Sequence, residues 1–122
     1  MTASTEYLRL RRLPDSQAER ARIEARMVPI ASIIAAASEV FDVGPRDMRS
    51  DYRAHHIAHA RHAVCKVASE IGWPLVDAAA ELRRDRCTAR DSRDRAAELE
   101  RTNPTFAARL AALRARTMER MA

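Results

Sequence analysis

Apolar residues along the chain recur at intervals of three and four, the spacing that lines one face of an α-helix. Ile30, Ile33, Ile34, Ala37, Val40 and Phe41 form one such stripe, and Pro29 suits its start. Ile57, Ala60, Val64, Val67, Ala68 and Ile71 form a second. A shorter stripe, Leu75, Ala78 or Ala79, and Leu82, follows Pro74. Proline is favoured at a first helical position because its missing N–H would be unpaired there. Ala89, Ser92, Ala96 and Leu99 make a thin stripe, and Phe106, Leu110 and Leu113 follow an Asn103 cap and Pro104. Upstream, Asp15 or Ser16 can cap a segment in which Ile23 and Met27 lead towards Ile30. These spacings predict helices over 16–27, 29–42, 54–71, 75–82, 86–101 and 104–119. Gly44 is the expected stop of the second, 46–49 a short turn, and Ser50 or Asp51 the expected cap of the third.

The fold class that follows is all-α, a compact bundle of about six helices. Its expected core is Ile33, Ile34, Phe41, Ile57, Val64, Val67, Ile71, Leu75, Leu82, Leu99, Phe106 and Leu110. With 122 residues the chain can build one modest core. Its abundance of Ala and Arg and its 2 glycines favour helix throughout. Residues 1–28 read as an extension with its own helix, and 29–122 as the main domain.

Charge narrows the partner class. The formal net charge of +5 suits an anionic partner. Cys65 and Cys87 lack a CxxC spacing and read as reduced thiols of a cytoplasmic protein. No apolar run approaches the roughly 18 residues of a membrane span, and the N-terminus lacks a secretory apolar stretch. The Arg9–Arg12 region, interleaved with Tyr7, Leu8, Leu10 and Leu13, leaves two readings: an arm following DNA, or a terminus whose leucines dock on the core.

The most informative stretch runs from Trp73 to Glu98. A short helix, a tight basic connection at Arg83–Arg84 and a second helix with a thin apolar stripe and a basic face have the layout of a DNA-reading helix-turn-helix. In that layout Arg86, Thr88 and Arg90 fall in the first turns of the second helix, where base edges are met. Asp85 either caps that helix or accepts from a cytosine amino group. Arg83, Arg84 and Arg93, with Arg53, Arg61 and Lys66 on or beside the long helix, are the expected backbone contacts; Arg61 or His59 is the candidate for the minor groove. His55, His59, His62 and Cys65 share a side of the long helix, but one straight helix rarely supplies a tetrahedral shell, so no metal is assigned. There is no nucleophile motif, no carboxylate pair signal and no phosphate loop, so no catalytic residue and no cofactor is assigned.

From about Ile30 to Leu113 the chain resembles the C-terminal DNA-binding domain of the bacterial replication initiator DnaA, a Trp-repressor-like helical class. The resemblance is carried by Val40-Phe41, Asp47-Met48, Ser50, Arg53 and Ala60-Arg61-His62. It is carried also by Arg84-Asp85-Arg86-Cys87-Thr88-Ala89, which looks like the family's Arg-Asp-His-Thr-Thr-Val. The resemblance implies a recognition helix opening at that signature and an arginine near the start of the long helix reaching the minor groove. The chain departs from the pattern at Arg86 and Cys87, and Leu82 and Arg83 stand where the family has glycines. The DNA site it implies is therefore not the replication-origin box. The family's nucleotide-hydrolysing motor has no counterpart here, since no G-x-x-x-x-G-K-[ST] loop occurs. A reading head without a motor implies a regulator of the kind found stand-alone in phage-derived activators, including those of gene transfer agents. The expected function is sequence-specific binding of double-stranded DNA at the nucleoid. Recruitment of RNA polymerase, another transcription factor or a DNA-bending protein would then go through residues 1–28 or 102–122. The rival reading is a helical protein-interaction module with a basic surface.

Overall fold

The computed structural model describes residues 26–121, and all regular structure among them is helical. Six helices follow in order: α1 (Ile30–Phe41), α2 (Pro45–Met48), α3 (His55–Ile71), α4 (Leu75–Glu81), α5 (Arg86–Thr102) and α6 (Pro104–Met121). The helix expected over 16–27 and the basic stretch near Arg9 lie outside the described residues, apart from Arg26 and Met27.

Helix α3 is the hub and packs against all five others. Its buried face is built largely from small residues: Ala60, Ala63, Val64, Cys65, Val67 and Ala68. Small side chains let neighbouring helices approach closely while larger ones from the partners fill the space between. The larger ones are Ile33 and Ile34 of α1, Met48 of α2, Leu82 after α4, and Phe106, Leu110 and Leu113 of α6, all nearly inaccessible. Burying a side chain of this size contributes roughly 1.5–3 kcal/mol relative to leaving it in water.

Ten of the twelve expected core residues are buried. Ile71 and Leu75 are instead half-buried at its edge, packed against it. Met48 and Val43 join the core from the stretch between α1 and α3, where the sequence showed no stripe. The expected turn at 46–49 is largely the single helical turn α2.

Three ends differ from their sequence signals. Helix α1 stops at Asp42, whose φ of 54° is left-handed, with its N–H donated to Ser38 O. Asp tolerates that conformation better than most residues. Gly44 therefore does not end α1 but precedes α2 in extended backbone. Neither Ser50 nor Asp51 caps α3, which begins at His55 after Ala54. The Ser50 hydroxyl is already engaged in its own loop, donating to Asp47 O at 2.6 Å and accepting from Tyr52 N at 3.2 Å. Pro74 sits one position before α4, not inside it. The Asn103 signal does hold: its Oδ1 accepts from Phe106 N at 3.0 Å. At the end of α3, Gly72 has a φ of 120°, which only glycine adopts without strain. The turn it makes brings Trp73 Nε1 to Val28 O at 2.8 Å, tying the start of the described chain to the α3–α4 junction.

Candidate nucleic-acid interface

Helix α4 and helix α5 pack on each other and on α3, with four residues between them. The connection is set by Leu82 and Arg83. Leu82 is buried and acts as the pin. Arg83 takes φ 54°, and the chain closes with Arg83 N to Ala80 O and Arg84 N to Ala79 O, at 3.2 and 2.8 Å. This is a left-handed helix termination, a place where glycine is the usual residue. Asp85 then returns to extended backbone and caps α5, its Oδ1 accepting from Thr88 N at 2.7 Å. That hydrogen bond holds the Asp85 carboxyl below its ordinary range, so it stays ionised at the helix N-terminus, where negative charge is favoured.

Ala89, Ser92, Ala96 and Leu99 bury the inner face of α5, as their spacing predicts. The opposite face is exposed. Arg86, Cys87, Thr88 and Arg90 project from the first turn and a half, with Arg83 exposed just before them. Among the described residues, Arg53, Arg83, Arg86 and Arg90 make no ion pair or side-chain hydrogen bond. Beyond Arg90 the character of α5 changes. Arg93 pairs with Asp94 at 3.1 Å and Arg95 with Glu98 at 2.8 Å, so the later turns largely neutralise themselves. Apart from Arg101 in the last turn, the unpaired arginines of α5 therefore lie at the start of the helix.

Two concavities flank this start. One is lined by Leu75, Arg86, Cys87, Arg90 and Arg93, the other by Asp51, Arg53, Arg61, Arg84 and Thr88. Eight of the expected contact residues thus gather around one end of α5: Arg53, Arg83, Arg84, Asp85, Arg86, Thr88, Arg90 and Arg93.

Three expected contacts are engaged inside the protein: Arg61, although it lines the second concavity, and His59 and Lys66, which lie away from it. Arg61 is only 7% exposed. Its guanidinium donates to four backbone carbonyls: Met48 O at 2.7 Å, Tyr52 O at 2.7 Å, Asp47 O at 3.0 Å and Ser50 O at 2.6 Å. A guanidinium has five N–H groups, so most of this one's donors are committed inside the protein. Arg61 builds the loop before α3 and is corrected from a groove or phosphate contact to a structural one. His59 stacks edge-on against Phe106, with centroids 5.5 Å apart. Burial and the charges of His55, Arg95 and Arg109 lower its pKa, so it belongs to the α3–α6 junction. Lys66 pairs with Glu70 at 3.7 Å, beside an Arg114 clamp whose Nη2 and Nη1 reach Glu70 Oε2 at 2.7 Å and Glu100 Oε2 at 2.5 Å. Lys66 is thus part of a charge-balanced ion-pair cluster joining α3, α5 and α6, away from the start of α5.

His62 and Cys65 of α3 face inward, whereas His55 and His56 are exposed at its start. His62 has a buried Nδ1 without a hydrogen-bond partner, and burial, with His59, Arg95 and Arg61, drives its pKa down to about 4. Burial pushes the Cys65 thiol up to about 12, so that cysteine is inert, while Cys87 is exposed. Among the described residues no group of His, Cys, Asp and Glu is arranged to hold a metal ion. No helix among them is long and apolar enough to cross a membrane.

Arg49 was the contributor that sequence spacing missed. Its Nε donates to Glu81 O at 3.1 Å, linking the loop before α3 to the end of α4. A single arginine in a loop carries no periodic signal that could reveal such a bond. No protein-family model matches the chain, and no curated protein matches it.

Proposed function

We propose that the chain is a sequence-specific double-stranded DNA-binding regulator, with the first turns of α5 entering the major groove. One observation carries the reading. The cationic side chains left without partners at the open end of a helix-turn-helix pair, Arg83, Arg86 and Arg90 with Arg53 beside them, lie at the exposed start of its second helix. That is where such a helix meets base edges. Arg86 and Arg90 are the candidates for bidentate contact with guanine O6 and N7, and Thr88 for a thymine methyl or a phosphate. Asp85 is held by its capping bond, which favours the cap over a cytosine contact. Arg53 and Arg83, which have no ion-pair partner, serve the backbone. The resemblance to the initiator's DNA-binding domain supports the same placement. In this reading the protein acts by recruitment, as phage and gene-transfer-agent regulators do, with RNA polymerase, another transcription factor or a DNA-bending protein as partner.

The test is affinity for a duplex selected from a random pool, measured across a salt series. Each neutralised phosphate contributes about −0.9 to the slope of log K against log salt, so two to four arginine contacts give a slope between about −2 and about −4. A slope shallower than about −1, or no enrichment of any sequence, would overturn the reading in favour of the interaction module.

A further inference from the structure

We propose that Arg49, Arg61 and Arg84 are positioning residues that brace the loop before α3 against the α4–α5 turn, so that Arg53 and the start of α5 meet a duplex as one rigid unit. The inference rests on the DNA-binding reading above and assigns these three arginines a role other than touching DNA.

The loop from Arg49 to Tyr52, which follows the buried Met48 at the end of α2, has no buried apolar residue of its own, and Tyr52 is exposed. What fixes it is a set of guanidinium bonds. Arg61 rises from α3 and gathers the carbonyls of Asp47, Met48, Ser50 and Tyr52. The loop is then tied to the turn twice, in opposite directions. Arg49 reaches from the loop to Glu81 O at the end of α4, with Glu81 Oε2 3.7 Å from its Nη2. Arg84 reaches back from the turn to Ser50 O. Ser50 O therefore accepts from both Arg61 and Arg84, and this shared acceptor is where the loop, α3 and the turn meet.

Two guanidiniums at one carbonyl repel each other. The four carbonyl dipoles around Arg61, and Asp51 3.7 Å from Arg84, offset that repulsion. Neither side chain is then free to swing out to a phosphate without releasing the loop. The residues on either side of the brace are the ones left open: Arg53 follows the loop, while Arg83 and Arg86 flank Arg84 and Asp85. A fixed spacing between these two groups is what lets one helix read bases while a second element grips the neighbouring backbone.

The experiment uses Arg84→Met in the full chain, which keeps the side-chain stem and removes the donors. On the selected duplex the variant is expected to bind about tenfold more weakly, the scale of one lost hydrogen bond, while random duplex is bound nearly as before. The salt slope should stay unchanged on both. A slope reduced by about 0.9 with equal weakening on both duplexes would show that Arg84 holds a phosphate and would overturn the brace. Unchanged specific binding would overturn it as well. A second arm needs no DNA. In the free chain, Arg84→Met should raise hydrogen exchange together at residues 50–54 and 86–89 while α6 stays protected, because segments in one cooperative unit open together. Faster exchange in only one of the two segments would refute the coupling. If the wild-type chain binds no duplex, the functional reading fails and the exchange arm alone decides the brace.

Discussion

Acidification should weaken this fold chiefly through His62. Its ring sits half-buried on α3 with Nδ1 unpartnered, and its pKa is lowered from 6.5 to about 4. Burial is the main cause, and the nearby His59, Arg95 and Arg61 add to it. In the unfolded chain the same ring titrates near its ordinary value. Between those two values the unfolded state binds the proton and the native state does not, so stability rises with pH across the window and is lost as pH falls through it. Going from about pH 7.5 to about pH 5, the linkage expression for pKa values of 6.5 and about 4 gives a loss of about 2 kcal/mol. His59, shifted in the same direction, adds to the loss. Urea unfolding at the two pH values, followed by circular dichroism, measures it as a fall in midpoint at constant slope. His62→Leu removes the titrating group and the unpartnered nitrogen, so the variant should lose less than about half as much over the same interval. If it loses as much as the wild type, His62 is not the source and the assigned environment is wrong.

Two further outcomes follow from the packing. Phe106, 1% exposed and in contact with the rings of Phe41 and His59, should cost about 3–5 kcal/mol when cut to Ala, read from the same urea curves; a change below about 1 kcal/mol would mean that α6 is not a core helix. Deleting residues 1–25 should spare DNA binding and lower transcriptional output from a reporter carrying the selected site. The cut is placed there, and not at 28, because Met27 and Val28 are buried. Equal loss of both activities would refute the division between a reading head and a recruiting extension.

What the sequence made legible is what periodicity encodes. The stripes of α1, α3, α5 and α6 lie where their spacing puts them, and the Asp85 and Asn103 caps are local bonds that a three-residue offset announces. The misses are of another kind. Gly44 looked like the stop of α1, but Asp42 took the left-handed position, since Asp also tolerates it. Arg83 occupies a left-handed turn for which glycine would have been the expected residue, so composition hid the turn's tightness. Arginine is ambiguous in sequence because its stem and fork serve an internal carbonyl cluster as readily as a phosphate. Only three-dimensional neighbours separate Arg61, surrounded by carbonyls, from Arg86, facing solvent. Lys66 and His59 lie on the same helix as Arg61 but point to other junctions, which a helical wheel of α3 alone does not decide.

The central claim is that the start of α5 reads bases, and Arg86→Ala tests it most directly. Affinities of the wild type and the variant are measured at one salt concentration on the selected duplex and on a random one, with Lys66→Ala as the control from the ion-pair cluster joining α3, α5 and α6. The account predicts a loss of about 1–3 kcal/mol for Arg86→Ala on the selected duplex, little change on the random one, and no change on either for Lys66→Ala. Equal weakening of Arg86→Ala on both duplexes would contradict it and leave a basic surface without a recognition helix.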